Sequence, residues 1–133
     1  VARLNDAGII VSVFIDAEIA QVEAAARIGA GVCEVHTGPY AHAFHAAGRD
    51  AESPAVLAEI AKLARAGEAI RALGLRFNAG HALNYYNVQP SARLPGIREL
   101  HIGHAIVSRA VFVGLRAAVA EMKRLMREAA QAA

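Results

Sequence analysis

Four short apolar segments, each followed by residues with helical spacing, constrain the fold of this chain most strongly. The apolar segments are rich in β-branched residues or bounded by glycine, and they cover residues 9–15, 31–36, 75–80 and 99–103. Helices are predicted between and after them, over residues 18–28, 54–73, 86–92, 104–112 and 115–130. Residues 38–53 are expected to form a loop. Strands that alternate with helices in this way are typical of βα units in a parallel sheet.

Polar side chains recur on one face of three predicted strands, for example Glu34, Asn78 and His101. Such groups are costly to bury in an open sheet that helices cover on both faces, whereas the wet end of a barrel accommodates them. We therefore expect a parallel (βα)8 barrel, the TIM barrel. Because such barrels typically need about 250 residues, the 133 residues here would supply about half of a single barrel domain. The chain opens on Val1, and residues 3–8 read as the end of a helix, so we expect a fragment.

Composition excludes several functional classes. The 14 Lys and Arg are interspersed with 12 Asp and Glu, for a net charge of +2, so no basic patch for nucleic acid is expected. An apolar run long enough to cross a membrane is absent from the sequence, as is a basic and then hydrophobic leader. The single cysteine, Cys33, is interpreted as a small buried hydrophobe in a reducing compartment. We expect a cytoplasmic protein with no nucleic-acid or membrane partner.

Two Gly-His pairs, Gly80-His81 and Gly103-His104, follow predicted strands. Barrels often bind phosphate at this end, through backbone N–H groups of the loops and a helix N-terminus. Glycine allows the backbone to approach a ligand closely. A histidine at the barrel mouth can donate or accept a proton near neutral pH, although a loop histidine without a chemical role is the simpler interpretation of His81 taken alone.

Glu34 is a candidate because a carboxylate inside an apolar strand rarely lacks a partner. Two interpretations stay open for it. It is either a functional carboxylate or one half of a structural ion pair with Arg76 or another basic group.

Other polar residues point less clearly to chemistry. His36, His42 and His45 provide imidazoles, but a second cluster of ligands or a carboxylate triad is missing, so no metal is expected. Tyr85 and Tyr86 either border a substrate or pack against the following helix.

Five motifs occur in order along nearly the whole chain: FID at 14–16, EVHTG at 34–38, NAGH at 78–81, ELHIGHAI at 99–106 and EMKRLM at 121–126. Their combination resembles the pyridoxine 5′-phosphate synthase family. The resemblance implies that residues 1–133 are the last four βα units, the C-terminal half, of one TIM barrel domain.

The resemblance also implies a reaction and roles for residues. The family condenses 1-deoxy-D-xylulose 5-phosphate with 3-amino-2-oxopropyl phosphate to pyridoxine 5′-phosphate, releasing inorganic phosphate and water, with no metal or organic cofactor. It is a transferase-type synthase of vitamin B6 biosynthesis and forms homo-oligomers, described as octamers. By motif position, His81 is the proton donor and Glu34 the carboxylate that stabilises the transition state, while Ala82, Gly103 and His104 hold the aminooxopropyl phosphate.

Two residues depart from the family's pattern. Ala82 stands where Gly usually follows the catalytic histidine, and its methyl group is expected to crowd the phosphate. His101 replaces a more usual Asn, which changes the polarity expected for the barrel interior.

The general-base histidine, a second catalytic glutamate and most contacts to the deoxyxylulose phosphate belong to the family's first four strands, which have no counterpart here. We therefore expect these 133 residues to be inactive if they are the whole molecule. Two alternatives remain. One is another phosphate-binding barrel, such as an isomerase or aldolase. The other is a non-catalytic half-barrel whose open edges pair with a partner chain.

Overall fold

Four strands form one parallel sheet in the order in which they occur along the chain. The computed structural model describes residues 1–132. The strands are β1 (Ser12–Ile15), β2 (Val32–His36), β3 (Arg76–Gly80) and β4 (Ile97–His101). All three pairings are parallel, so each pair of neighbours requires a crossover connection. The predicted α/β class and parallel sheet are confirmed.

Helices make these connections. In chain order they are α1 (Ala2–Asp6), α2 (Ile19–Arg27), α3 (Gly38–Ala46), α4 (Pro54–Ala72), α5 (Val88–Ala92), α6 (His104–Val113) and α7 (Leu115–Gln131). Helices α2 and α4 pack on the sheet and on each other, while α7 packs on α5 and α6. The five predicted helices are thus present, with bounds that differ by a few residues.

The core lies between the sheet and its helices. Cys33, Val35 and Phe77 alternate with more polar residues along β2 and β3, and all three are buried. The ring of Phe77 lies against Gly67 of α4, where a Cβ atom would collide with it, so glycine permits close packing of helix on sheet. Burial raises the pKa of the Cys33 thiol, which keeps it neutral. The interpretation of Cys33 as a buried hydrophobe is confirmed.

The prediction of a loop over residues 38–53 was wrong for residues 38–46, which form α3. The Gly38-Pro39 pair suggested a turn. Proline is nevertheless well tolerated in the first turn of a helix, where its missing N–H would have no partner. Pro39 occupies that position here, and Tyr40 and Phe44 anchor the helix in the core.

Two strand bounds also differ from prediction. β1 begins at Ser12 and not at residue 9, because its ladder with β2 begins where Ser12 pairs with Val32, and Ile9 and Ile10 precede it and are exposed. β4 covers residues 97–101 and not 99–103. It starts directly after the left-handed turn at Gly96, whose φ is +76°.

Both edges of the sheet are open within residues 1–132, since β1 and β4 each have one strand neighbour there. Large apolar side chains on β1 and α6 are exposed: Phe14 on β1 by 55%, and Val111 and Phe112 on α6 by 78% and 85%. Among the described residues, none of the helices combines the length and apolar character needed to traverse a lipid bilayer.

Candidate active site

The turn that follows β3 has a left-handed backbone at two successive residues. The φ angle is +84° at His81 and +59° at Ala82, a conformation that costs a non-glycine residue about 1–2 kcal/mol. The hydroxyl of Thr37 lies 2.6 Å from the Gly80 carbonyl oxygen and 2.5 Å from that of His81. The Asn87 side chain donates to the Ala82 carbonyl at 3.2 Å. Contacts from the core therefore hold the strained turn in place.

These contacts determine where the N–H groups of the turn point. In a trans peptide the N–H is antiparallel to the preceding C=O, and the described chain contains no cis peptide. The carbonyls of residues 80–82 point at Thr37 and Asn87, which are 0% and 1% exposed. The N–H groups of residues 81–83 consequently point away from Thr37 and Asn87, a geometry compatible with the predicted phosphate role of Ala82.

Glu34 on β2 pairs with His101 on β4, across the intervening strand β3. The Glu34 Oε2 and His101 Nδ1 atoms are 2.6 Å apart, although two strand spacings of about 4.8 Å separate their backbones. The pair meets above Gly80, where a Cβ atom would collide with Glu34 Oε1 and lie 3.0 Å from His101 Cβ. The basic partner of Glu34 is therefore His101 and not Arg76.

A second carboxylate contacts the same imidazole. Glu99 Oε2 lies 3.4 Å from His101 Nε2 and accepts a hydrogen bond of 3.0 Å from the Asn78 amide. Burial lowers the pKa of His101, but its hydrogen bonds and charge interactions with Glu34 and Glu99 outweigh this and raise the pKa above the ordinary value. The protonated imidazole is favoured. Asn78 Oδ1 is buried and has no hydrogen-bond partner among the described residues.

Gly103 and His104 form the start of α6. Gly103 is the N-cap and His104 the first helical residue, so the first N–H groups of the helix open toward the strand ends. A Cβ atom at Gly103 would meet nothing within 4 Å. The N-terminus of a helix attracts anions through these N–H groups and the helix dipole.

One cavity of about 590 Å³ brings together all the predicted site residues, which are Glu34, His81, Ala82, Gly103 and His104. They come from three different strand ends. The cavity thus combines a carboxylate, a histidine in the turn after β3 and two sets of backbone N–H donors. His101 lines it as well.

A second cavity, of about 510 Å³, lies on the other side of His81 and is lined in part by His36, His42 and His45. A group of three or more potential metal-binding side chains does not occur in residues 1–132.

The two tyrosines of the 81–87 segment have different surroundings. The Tyr85 hydroxyl donates to the Ala118 carbonyl at 2.9 Å, so this residue contacts the terminal helix α7, whereas the interpretation from sequence had named the helix that directly follows. Tyr86 is exposed and lies under the guanidinium of Arg49, 4.1 Å from its ring centroid.

Sequence reasoning missed Thr37 and Asn87 as supports of the His81 turn. Thr37 follows an apolar strand, and a hydroxyl that is fully buried must find a partner. The position of Thr37 directly after an apolar strand was the one feature of the sequence that could have identified it as a support of the turn. The partners themselves depend on the pairing of β2 with β3, in which His36 lies opposite Gly80.

The parallel sheet, with backbone N–H groups and ionisable side chains at its strand ends, defines an α/β protein with a candidate small-molecule site at this edge. Comparison with known proteins gives the family. Residues 1–128 match the family described as "Pyridoxal phosphate biosynthesis protein PdxJ", and the chain belongs to it.

Relatives of high identity carry one name, pyridoxine 5′-phosphate synthase. The chain is 85% identical over 130 residues to the protein of Azoarcus sp. (strain BH72) and 79% identical over 131 residues to that of Dechloromonas aromatica (strain RCB). It is 54% identical over 129 residues to the protein of Magnetococcus marinus. The predicted resemblance is confirmed. The first two alignments cover 98% of this chain and 52% of each relative, so the chain spans about half the length of these proteins.

Proposed function

We propose that this chain forms part of a pyridoxine 5′-phosphate synthase, a transferase-type enzyme that closes the pyridine ring from 1-deoxy-D-xylulose 5-phosphate and 3-amino-2-oxopropyl phosphate. The observation that carries the proposal is the 590 Å³ cavity, which gathers Glu34, His81, Ala82, Gly103 and His104 from separate strand ends. The relatives named for this activity support it.

Glu34 and His81 supply the charge and the proton that such a condensation needs. An amine that adds to a ketone passes through cationic, protonated imine states, and a fixed carboxylate stabilises positive charge as it develops. His81 donates protons to departing oxygen atoms, which makes water and phosphate better leaving groups. The pairing of Glu34 with His101 holds the carboxylate at the cavity before substrate binds.

Backbone N–H groups bind the phosphate at two places. The N–H groups of residues 81–83 point away from Thr37 and Asn87, and α6 presents its N-terminus at Gly103 and His104. N–H groups and a helix N-terminus are well suited to a phosphate dianion. We assign the aminooxopropyl phosphate to this position.

We further propose that the four βα units are the last four of a (βα)8 barrel. The open edges at β1 and β4 and the exposed Phe14 and Phe112 are surfaces that the other four units would cover. The half coverage of the relatives supports this. The proposed enzyme works in the cytoplasm as a homo-oligomer without metal or organic cofactor, and the free thiol of Cys33 is compatible with a reducing compartment.

The test is the formation of pyridoxine 5′-phosphate from the two substrates by the purified, intact gene product. We expect His81→Asn to lower kcat by about 10²- to 10⁴-fold, the usual contribution of a proton-transfer group. His45→Asn, which changes an exposed histidine outside the 590 Å³ cavity, is the matched control and should stay active.

Two other outcomes would contradict the proposal and favour a different function. An intact protein that binds phosphorylated sugars but forms no product would favour another phosphate-binding barrel, such as an isomerase or aldolase. A protein that only associates with a partner chain, without ligand binding, would favour a non-catalytic half-barrel.

A further inference from the structure

A carboxylate and an imidazole lie next to each other on the side of His81 that carries Phe14 and His36. Asp16 follows β1 and its Oδ1 lies 3.2 Å from Nδ1 of His36, at the end of β2. Gln21 fixes this carboxylate. Its Nε2 lies 3.4 Å from Asp16 Oδ2, and its Oε1 accepts the Asp16 backbone N–H at 2.9 Å. Because a carboxylate only accepts hydrogen bonds, the proton of a neutral His36 resides on Nδ1.

The His36 ring in turn contacts His81. The two ring centroids are 4.8 Å apart with an interplanar angle of 72°, an edge-to-face arrangement. Phe14 lies against both rings, with centroid distances of 5.1 Å to His36 and 6.2 Å to His81. A Cβ atom at Gly38 would collide with the His36 ring, so glycine here leaves the space that this ring occupies.

We propose that Asp16 and His36 are positioning residues that orient the imidazole of His81 for proton transfer. The inference rests on the proposed function and extends it to two residues with no role in it so far. Neither Asp16 nor His36 lines the 590 Å³ cavity, so they act through His81 and not on substrate there.

The need for such a support follows from the position of His81. Its backbone is fixed through Thr37, but its side chain leaves a left-handed, exposed turn, and rotation about χ2 of histidine is broad. A proton donor must lie within about 3 Å of its acceptor, and a misplacement of about 1 Å lowers the rate on the order of 10²-fold. The contacts that link Asp16 to His36 and His36 to His81 restrict rotation of the His81 ring about χ2.

The test uses Asp16→Asn and His36→Phe in the intact gene product. Asparagine keeps the size of the side chain but permits the other tautomer of His36, and phenylalanine keeps a ring beside His81 but loses the bond to Asp16. We expect each change to lower kcat by about 10- to 100-fold, with KM for both substrates within about twofold. The double variant should be no worse than His36→Phe, because both changes break one chain of contacts. Asp6→Asn, on exposed helix α1, is the control and should keep full activity.

Imidazole ¹⁵N spectra of the same proteins make the test independent of turnover. In the parent we expect the Nδ1–H form of His36, and in Asp16→Asn a mixture of tautomers together with shifted ring signals of His81. If Asp16→Asn lowers stability, Gln21→Leu removes only the two exposed hydrogen bonds that orient Asp16 and should give a smaller fall in kcat of about threefold.

The proposal would be overturned by a kcat within twofold of the parent in Asp16→Asn together with unchanged His81 signals. It would also be overturned by additive losses in the double variant. If the parent makes no pyridoxine 5′-phosphate, the proposed function fails by itself, and the His81 spectra still decide whether Asp16 and His36 orient this ring.

Discussion

Replacement of Ala82 by glycine should stabilise the protein. Ala82 has a φ of +59°, where an alanine is about 1–2 kcal/mol less favourable than a glycine. Glycine loses more conformational freedom on folding, which offsets about 0.4–1 kcal/mol of this gain. The methyl group of Ala82 is exposed, so its removal forfeits little burial. We expect a net rise of about 0.5–1 kcal/mol in the free energy of unfolding.

Urea denaturation of the intact protein, followed by circular dichroism, measures this difference. Ala61→Gly is the matched control, since Ala61 is also exposed but lies inside helix α4. There the same chemical change should lower the free energy of unfolding by about 1 kcal/mol. Opposite signs at the two positions would support the strain argument. A loss of stability in Ala82→Gly as large as in Ala61→Gly would refute it.

Three further changes test other contacts of the site. Because the carboxylates around His101 raise its pKa, its stabilising effect is complete below the ordinary pKa of about 6.5 and is lost as the pH rises through the raised value. The stability difference between the parent and His101→Asn in urea should therefore be larger at pH 5.5 than at pH 9. Gly80→Ala should displace Glu34 and lower the free energy of unfolding, measured by urea denaturation, by about 1–3 kcal/mol. Gly103→Ala, whose Cβ meets open space, is the control and should change it by less than about 0.5 kcal/mol. Tyr40→Phe leaves a buried carbonyl oxygen without its 2.7 Å hydrogen bond and should lower the melting temperature, at a cost of about 1–2 kcal/mol.

The order and type of the elements could be predicted because each strand is a short apolar run and each helix has apolar spacing. The long helix α4 is the clearest case, since Ser53-Pro54 begins it and Gly74 follows its end. Helix α3 was not foreseen because its first two residues, Gly38 and Pro39, are also the usual residues of a turn. What decides between them is the burial of Tyr40 and Phe44, a tertiary contact that local sequence does not contain.

The strand ends that form the candidate site could be predicted from the sequence, but the residues that its side chains contact could not. Parallel strands bring residues 34, 81 and 104 to one edge wherever the strands are correctly identified, and one cavity does contain them. The partner of Glu34 depends on strand order and on side-chain reach across a strand. Arg76 was a reasonable candidate because it lies on the neighbouring strand, but it is exposed and two residues from the level of Glu34, which pairs in register with Asn78.

Gly80 shows how one residue can meet two requirements that sequence cannot separate. The Gly-His pattern predicted a glycine that lets a phosphate approach the backbone. The structure gives Gly80 a second reason, since it lies on the middle strand between β2 and β4 and directly opposite both His36 and His101 in the sheet. Glu34 and His101 reach each other only through the space above this residue, where any side chain would separate them. A substitution at Gly80 therefore alters the carboxylate of the site even where it leaves the backbone N–H groups unchanged, and the two effects can be told apart by comparing phosphate affinity with the titration of His101.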